Sequence, residues 1–431
     1  MGKFILKGDL IYSKTPQELC CVKDGFLVCN GNTSGGVYQK LEQIPDAYRQ
    51  FPIEDYSGHL IVPGLCDLHL HAPQYTFRGM WMDLELLEWL NVHTFPEEAK
   101  YADEAFAKRA YSCFVTEMRE SATTRFCAFA TLHVPATLLL MDFIEESGLC
   151  GYVGKVNMDR NAPGFLCEDT NASISATLSW LRQVKERAYK HVLPILTPRF
   201  IPSCSDALME ALGELIQQSG QRLPLQSHLS ENLSEISWVK ELCPWAASYG
   251  ESYDRPGCFG RNGSRTIMAH CVWPAEDELQ RIKENGVFIA HCPASNTNLA
   301  SGIAPVRQYL EEGLHVGLGS DIAGGTSHSI FRAMADAVQV SKLRFRLLDK
   351  THKPLTLPEA FFLGTKGGGA FFGKVGSLED GYAFDALVLD ESGIISAEQA
   401  AFTLEERLER YVYLAGERAI LHKYADGVSL F

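Results

Sequence analysis

Between residue 60 and about residue 375 the chain repeats one texture. A short, nearly all-apolar run gives way to a polar loop, then to a stretch with apolar residues at helical spacing. Eight of the apolar runs have strand length: Leu60–His69, Thr124–Thr131, Gly151–Met158, Val192–Phe200, Leu223–His228, Thr266–Cys271, Val287–Cys292 and His315–Asp321. Helical stretches such as Thr177–Tyr189, Ser205–Gln218, Pro274–Asn285 and Pro305–Gly313 separate them. Strands apolar on both faces belong to a parallel sheet covered by helices, and eight strand–helix units predict an α/β fold, a (β/α)8 barrel of TIM type. Residues 63–375 are assigned to it. The flanks read differently. Residues 1–62 carry short strands (Lys3–Tyr12, Glu18–Cys29 broken at Asp24-Gly25, Gly35–Val37), and Gly376–Asp390 returns to strand texture. The segments 1–62 and 376–431 are expected to combine into one small, discontinuous β-sandwich with a structural role, covering an edge strand.

The residues that end the barrel strands are chemically unusual. His69 and His71 close the first, Arg199 the fourth, His228 the fifth, His270 the sixth, His291 the seventh and Asp321 the eighth. In such a barrel all carboxyl ends open on one face, where active sites are built. Residues two apart on a strand share a side, so His69 and His71 converge. One such residue alone is more often a satisfied buried polar group, and a bare His-x-His more often lies on a surface edge. Five histidines, an arginine and an aspartate at strand ends together predict a metal site. Nitrogen ligands plus one carboxylate suit zinc or ferrous iron with a position left for water, the arrangement of a catalytic site. Glu231, three residues after His228, is placed to move protons beside the metal without binding it. Its blander role would be a first-turn glutamate favoured by the helix dipole.

Composition limits the partners. The net charge of −14 has no offsetting basic block, which argues against nucleic acid. No apolar run approaches the ~20 residues of a membrane helix. Thirteen scattered cysteines, with no Cys-x-x-Cys pair and no secretory pattern at the start, are expected to be reduced thiols in the cytoplasm. The His-x-Glu and Pro-Cys-x-x-Cys signature of the zinc-dependent nucleobase deaminases is absent.

Longer motifs carry a resemblance. Pro63-Gly64-Leu65-Cys66-Asp67-Leu68-His69-Leu70-His71 is similar to the metal-binding signature of the amidohydrolase superfamily. His71-Ala72-Pro73-Gln74-Tyr75, Asp83–Leu90, Thr94-Phe95-Pro96, Thr197-Pro198-Arg199-Phe200, Ser227–Asn232, His291–Asn296 and Gly319–Gly325 resemble, within it, the guanine deaminase family. The resemblance spans about residues 60–385 and is loose over the first 57. It implies that His69, His71, His228 and Asp321 hold one zinc ion per chain, with iron as the alternative. His270 would be a further ligand or would hydrogen-bond the water and substrate. Glu231 would shuttle protons and Asp321 would take one from the attacking water. Gln74 and Arg199 would bind the edge of a small-molecule purine, and Phe200 would stack on its ring. A planar amide, a forked guanidinium and an aromatic face suit such a heterocycle. The binuclear members of the superfamily use a bridging lysine at the fourth strand's end. Arg199-Phe200 stand there and Lys155 lies in the third strand, so one metal is expected. The implied reaction is hydrolysis of guanine to xanthine and ammonia, in an enzyme that is often a homodimer. The alternatives are deamination of a modified guanine, a pterin or a triazine, or a scaffold that has lost its ligands. Asp83–Leu90 reads as an amphipathic helix burying Leu84, Leu87 and Leu90.

Overall fold

Gly64 is where the chain passes from one layer to the next. In the computed structural model, which describes residues 2–220, 223–394, 401–416 and 419–431, the expected strand Leu60–His69 is two strands. The first, β4, belongs to an outer sheet with β1 (Lys3–Ser13), β2 (Leu19–Asn30), β3 (Thr33–Tyr38) and its own span Ile53–Pro63. The second, β5 (Leu65–His71), opens the barrel. A Cβ on Gly64 would lie 2.3 Å from Thr124 Oγ1, so the crossing has room only for glycine.

The barrel strands are β5, β6 (Thr123–Phe129), β7 (Cys150–Gly154), β8 (Val156–Asn157), β9 (Val192–Pro194), β10 (Thr197–Pro198), β11 (Leu225–Leu229), β12 (Thr266–His270), β13 (Phe288–His291) and β14 (His315–Leu318). They cover all eight expected positions, the third and fourth each as two short pieces. Pairing is parallel throughout, in two four-stranded sheets, β5-β6-β7-β9 and β11-β12-β13-β14, plus the pair β8-β10. The fold is TIM-barrel-like, with the ladder interrupted between the sheets. At one seam Leu196 bridges to Leu225. At the other, the Asp321 N–H donates to His69 O (2.9 Å) and the His71 N–H to Ile322 O (3.0 Å). Leu68, Cys127, Ile195, Ile267, Ala269 and Ala290 are drawn from both sheets into one buried cluster, as the packed interior of such a barrel requires.

Side-chain caps set where the covering helices start. Thr170–Arg187 begins well before the expected Thr177, because Asp169 accepts hydrogen bonds from the Asn171 and Ala172 N–H groups. Ser205 caps Asp206–Gln218 in the same way through the Leu208 N–H.

The chain returns to the outer sheet as β15 (Ala386–Leu389), β16 (Ile420–Ala425) and β17 (Val428–Ser429). In place of the expected two-sheet sandwich, the strand order β17-β16-β15-β4-β1-β2-β3 forms one mixed sheet. Register shifts at Gly8/Leu10 bend the long strands, and separate apolar clusters cover the two faces. The parts of the C-terminal segment at 395–400 and 417–418 lie outside the described residues. All thirteen cysteines are free thiols. Among the described residues, no helix is long and apolar enough to cross a membrane.

Candidate active site

His69 and His71 end β5, His228 lies in β11, His270 ends β12, and Asp321 follows β14. Their ring and carboxylate atoms meet at one point, and all five side chains are buried. His71 Nε2 lies 3.1 Å from His228 Nε2. Asp321 Oδ1 is 3.2 Å from His69 Nε2 and 3.7 Å from His71 Nε2, and its Oδ2 is 3.8 Å from His270 Nε2. The carboxyl ends are held in tight backbone geometry, with φ of +74° at His270 and +48° at Asp321. Such left-handed positions are costly for most side chains and cluster at active sites.

Outer hydrogen bonds choose the tautomers. His228 Nδ1–H donates to Arg199 O (2.6 Å), and His270 Nδ1–H donates to Asn296 Oδ1 (2.8 Å), which turns both Nε2 lone pairs inward. His69 Nε2 and His270 Nε2 have no directed hydrogen-bond partner despite complete burial. Burial, reinforced by the neighbouring rings, holds the His71 and His228 imidazoles well below their usual pKa, so they stay neutral. For Asp321 burial acts upward, but His69 and then His270 outweigh it and keep the carboxyl well below its usual range. Neutral imidazoles, an ionised carboxylate and bare inward nitrogens fit a divalent cation. Cys292 lies within reach of His69, His270 and Asp321, but burial pushes its thiol far up and its Sγ–H faces Ala290 O (3.5 Å). His291 belongs to neither metal-capable histidine group. Lys155 is bonded to Glu168 (2.7 Å) and Val156 O (3.1 Å), remote from any ligand role.

Glu231 sits beside this cluster, its Oε2 3.4 Å from His270 Nε2 and its Oε1 accepting from Ser301 Oγ (3.2 Å). Burial, with Asp321 nearby, pushes its carboxyl up to about 8. Asp67, quoted above only as part of a motif, accepts the His69 and Ser320 N–H groups at one oxygen (3.2 and 3.0 Å) and ties β5 to the loop after β14.

Above the histidines lies a small cavity of about 30 Å³. Gln74, Arg199, Phe200 and Glu231 line it with His71, His228, His270 and Asp321. Leu86, Trp89 and Leu90 complete its apolar wall. That wall corrects the helix expected over Asp83–Leu90. Only Leu86–Trp89 is α-helical, a π turn over Leu90–Thr94 follows, and Leu86, Trp89 and Leu90 are the buried positions, while Leu84 and Leu87 are only partly covered. Other residues had no local signal. Glu98, in the helix Phe95–Ala99, accepts from Gln74 Nε2 (2.8 Å) and Arg199 Nη1 (2.6 Å). Ser301 likewise entered only as the partner of Glu231, while Asn296, which orients His270, was quoted above only as part of a motif.

A TIM-barrel-like fold with histidines and an aspartate gathered at the carboxyl ends of its strands defines a class, the metal-dependent hydrolases. Residues 60–429 match the amidohydrolase family, and the chain belongs to it. Its relatives are more specific. The guanine deaminase of Dictyostelium discoideum is 38% identical over 94% of this chain and 87% of its own length. The guanine deaminase of Homo sapiens is 37% identical over 98% of this chain and 95% of its own. A solved guanine deaminase from C. acetobutylicum, with guanine bound in its active site, superposes with a TM-score of 0.95. It is 44% identical over 100% of both chains.

Proposed function

We propose that this protein hydrolyses guanine to xanthine and ammonia. The observation that carries the reading is the joint presence of the buried histidine–aspartate cluster and Glu231 on one cavity, in a chain whose full-length relatives are guanine deaminases. His69, His71, His228 and Asp321 would hold one zinc ion, with iron as the alternative, and His270 adds a further ligand or a hydrogen bond to the reacting groups. Such an ion, when bound, supplies a water nucleophile that is available at neutral pH.

The chain's own residues do the rest. Gln74 and Arg199 hold the purine edge, and Phe200 packs on the ring. Asp321 accepts a proton from the attacking water as its oxygen bonds to the carbon bearing the amino group. Glu231 passes a proton to the ring nitrogen and then helps the amine depart as ammonia when the C–N bond breaks. Its position supports this, between His270 and Ser301 on the cavity wall. Residues 63–375 would carry all of this chemistry, with 1–62 and 376–431 bracing the barrel. Purified protein mixed with guanine, followed by loss of guanine absorbance and release of ammonia alongside metal analysis, tests the reading. Ammonia released from a pterin or triazine but not from guanine would overturn it.

A further inference from the structure

Glu98 is 3% exposed, and both of its oxygens are used by cavity-lining side chains. Oε1 accepts from Gln74 Nε2 at 2.8 Å, and Oε2 accepts from Arg199 Nη1 at 2.6 Å. Arg199 is itself 2% exposed, and Glu98 is the carboxylate it pairs with, while its guanidinium packs on the Phe95 ring at 5.1 Å. The opposite end of Gln74 is fixed as well, because its Oε1 accepts the Ala323 N–H at 2.9 Å. The amide therefore has one orientation: its oxygen is turned to the backbone and its NH2 to Glu98. An NH2 group has two hydrogens and a guanidinium has five. After Glu98 has taken its share, what Gln74 and Arg199 can turn to the cavity is N–H donors and no acceptor.

We propose that Glu98 is a positioning residue that sets the polarity of the recognition edge. It anchors Gln74 and Arg199 together as donors, so the site selects a heterocycle that presents a carbonyl oxygen and ring-nitrogen lone pairs there. A ring presenting an amino group at that edge meets only like donors, and a ring with neither leaves buried donors unpaired. The inference rests on the reading of Gln74 and Arg199 as substrate contacts. Guanine fits the pattern through its carbonyl.

Glu98→Gln is the direct test. The amide offers one acceptor where the carboxylate offers two, and its own NH2 must face either Gln74 or Arg199. For guanine, KM should rise about 10- to 100-fold, the range for losing a charge-assisted hydrogen bond. The kcat should fall far less and bound zinc should not change. The preference for guanine over 2-aminopurine, which keeps the departing amine but lacks the carbonyl, should shrink by a similar factor. Glu98→Asp keeps both acceptors and should restore part of the preference. If the Gln variant does not fold, the Asp variant carries the same readout, because its shorter reach should still raise KM and lower the preference. A lower melting temperature with an unchanged guanine-to-2-aminopurine ratio in both variants overturns the inference. Two controls separate this from failure of the underlying reading. If the unmodified protein does not deaminate guanine, the proposed function fails. If Gln74→Ala leaves KM for guanine unchanged, the substrate contacts fail, and the inference fails with them.

Discussion

His71 Nε2 and His228 Nε2 face each other at 3.1 Å, with their rings inclined by only 19°. His228 Nδ1 is committed to the Arg199 carbonyl, so its Nε2 carries a lone pair. The buried Nδ1 of His71 has no partner in either tautomer, and a cation in front of both Nε2 atoms uses both lone pairs together with the bare Nε2 of His69 and His270. The pair is therefore arranged for coordination.

The first prediction follows. His228→Ala or Asp321→Ala should abolish deamination and leave little bound metal, because each removes one donor from a converging set. His291→Gln should retain metal, since that ring lies outside both clusters. Elemental analysis of the three variants decides this: full metal occupancy in the first two would end the metal-site reading.

Glu231 separates catalysis from coordination. Glu231→Gln keeps the size and the Ser301 contact but cannot pass a proton, and such groups typically contribute ~10²–10⁴-fold. The expected outcome is near-normal metal content with kcat reduced by that order. Loss of metal in this variant would make Glu231 a ligand instead.

The barrel and its metal end were legible because the signal is local. Each strand is an apolar run, and His69, His71, Arg199, His228, His270 and Asp321 mark where the runs stop. Residues whose roles depend on distant chain were not legible. Glu98 stands beside Glu97 in a short polar stretch, and nothing local distinguishes the half-buried glutamate that pairs with Lys100 from the one buried between Gln74 and Arg199. The split of Leu60–His69 into two sheets had one available signal, Pro63-Gly64, a turn dipeptide inside an otherwise continuous apolar run. The single outer sheet was hidden for a similar reason, because bulges at Gly8–Leu10 bend strands whose alternation alone does not say how many layers they form.

A pH dependence of stability follows from Glu278. It lies in the first turn of Glu276–Asn285 and accepts from Ser230 Oγ (2.8 Å), the Gly250 N–H (2.7 Å) and the Ala275 N–H (3.3 Å), which braces the turn just before Glu231. Burial nevertheless pushes its carboxyl from 4.5 up to about 7. A raised folded-state pKa gives stability that is fully present below 4.5 and is lost as pH rises through about 7. At 1.36 kcal/mol per pKa unit the loss is on the order of 3 kcal/mol. Glu278→Gln cannot ionise, so its urea-unfolding free energy should fall less than the parent's between pH 4.5 and 7, even though the amide loses an acceptor and lowers stability overall. Parallel slopes for the two proteins would show that the Glu278 carboxyl has the same pKa folded and unfolded.

The last prediction concerns how the outer sheet is fastened to the barrel. Lys423 in β16 is completely buried, and its ammonium donates to the carbonyls of Met118 (3.0 Å), Arg119 (3.1 Å), Ser121 (2.9 Å) and Thr123 (2.6 Å). These oxygens belong to the end of the helix Glu104–Glu120 and to the start of β6, where a cation is favoured; Met118 O also accepts from Ser121 Oγ (2.8 Å). One side chain from the end of the sequence thus closes a helix and anchors a barrel strand. Lys423→Met keeps a similar length of apolar stem but removes the donor that these carbonyls share. Leaving a buried acceptor without its donor typically costs about 1–3 kcal/mol, and the methionine's apolar contacts offset little of it because the pocket around Nζ is lined by oxygen. The urea midpoint should fall accordingly with the m-value unchanged. Metal content and kcat of the folded fraction should match the parent, since Lys423 is not among the residues lining the catalytic cavity. A loss below about 1 kcal/mol, the net worth of one ordinary hydrogen bond, would mean that water or a backbone shift satisfies these carbonyls and that the outer sheet is held by Arg125, Asp385 and Asp426 instead.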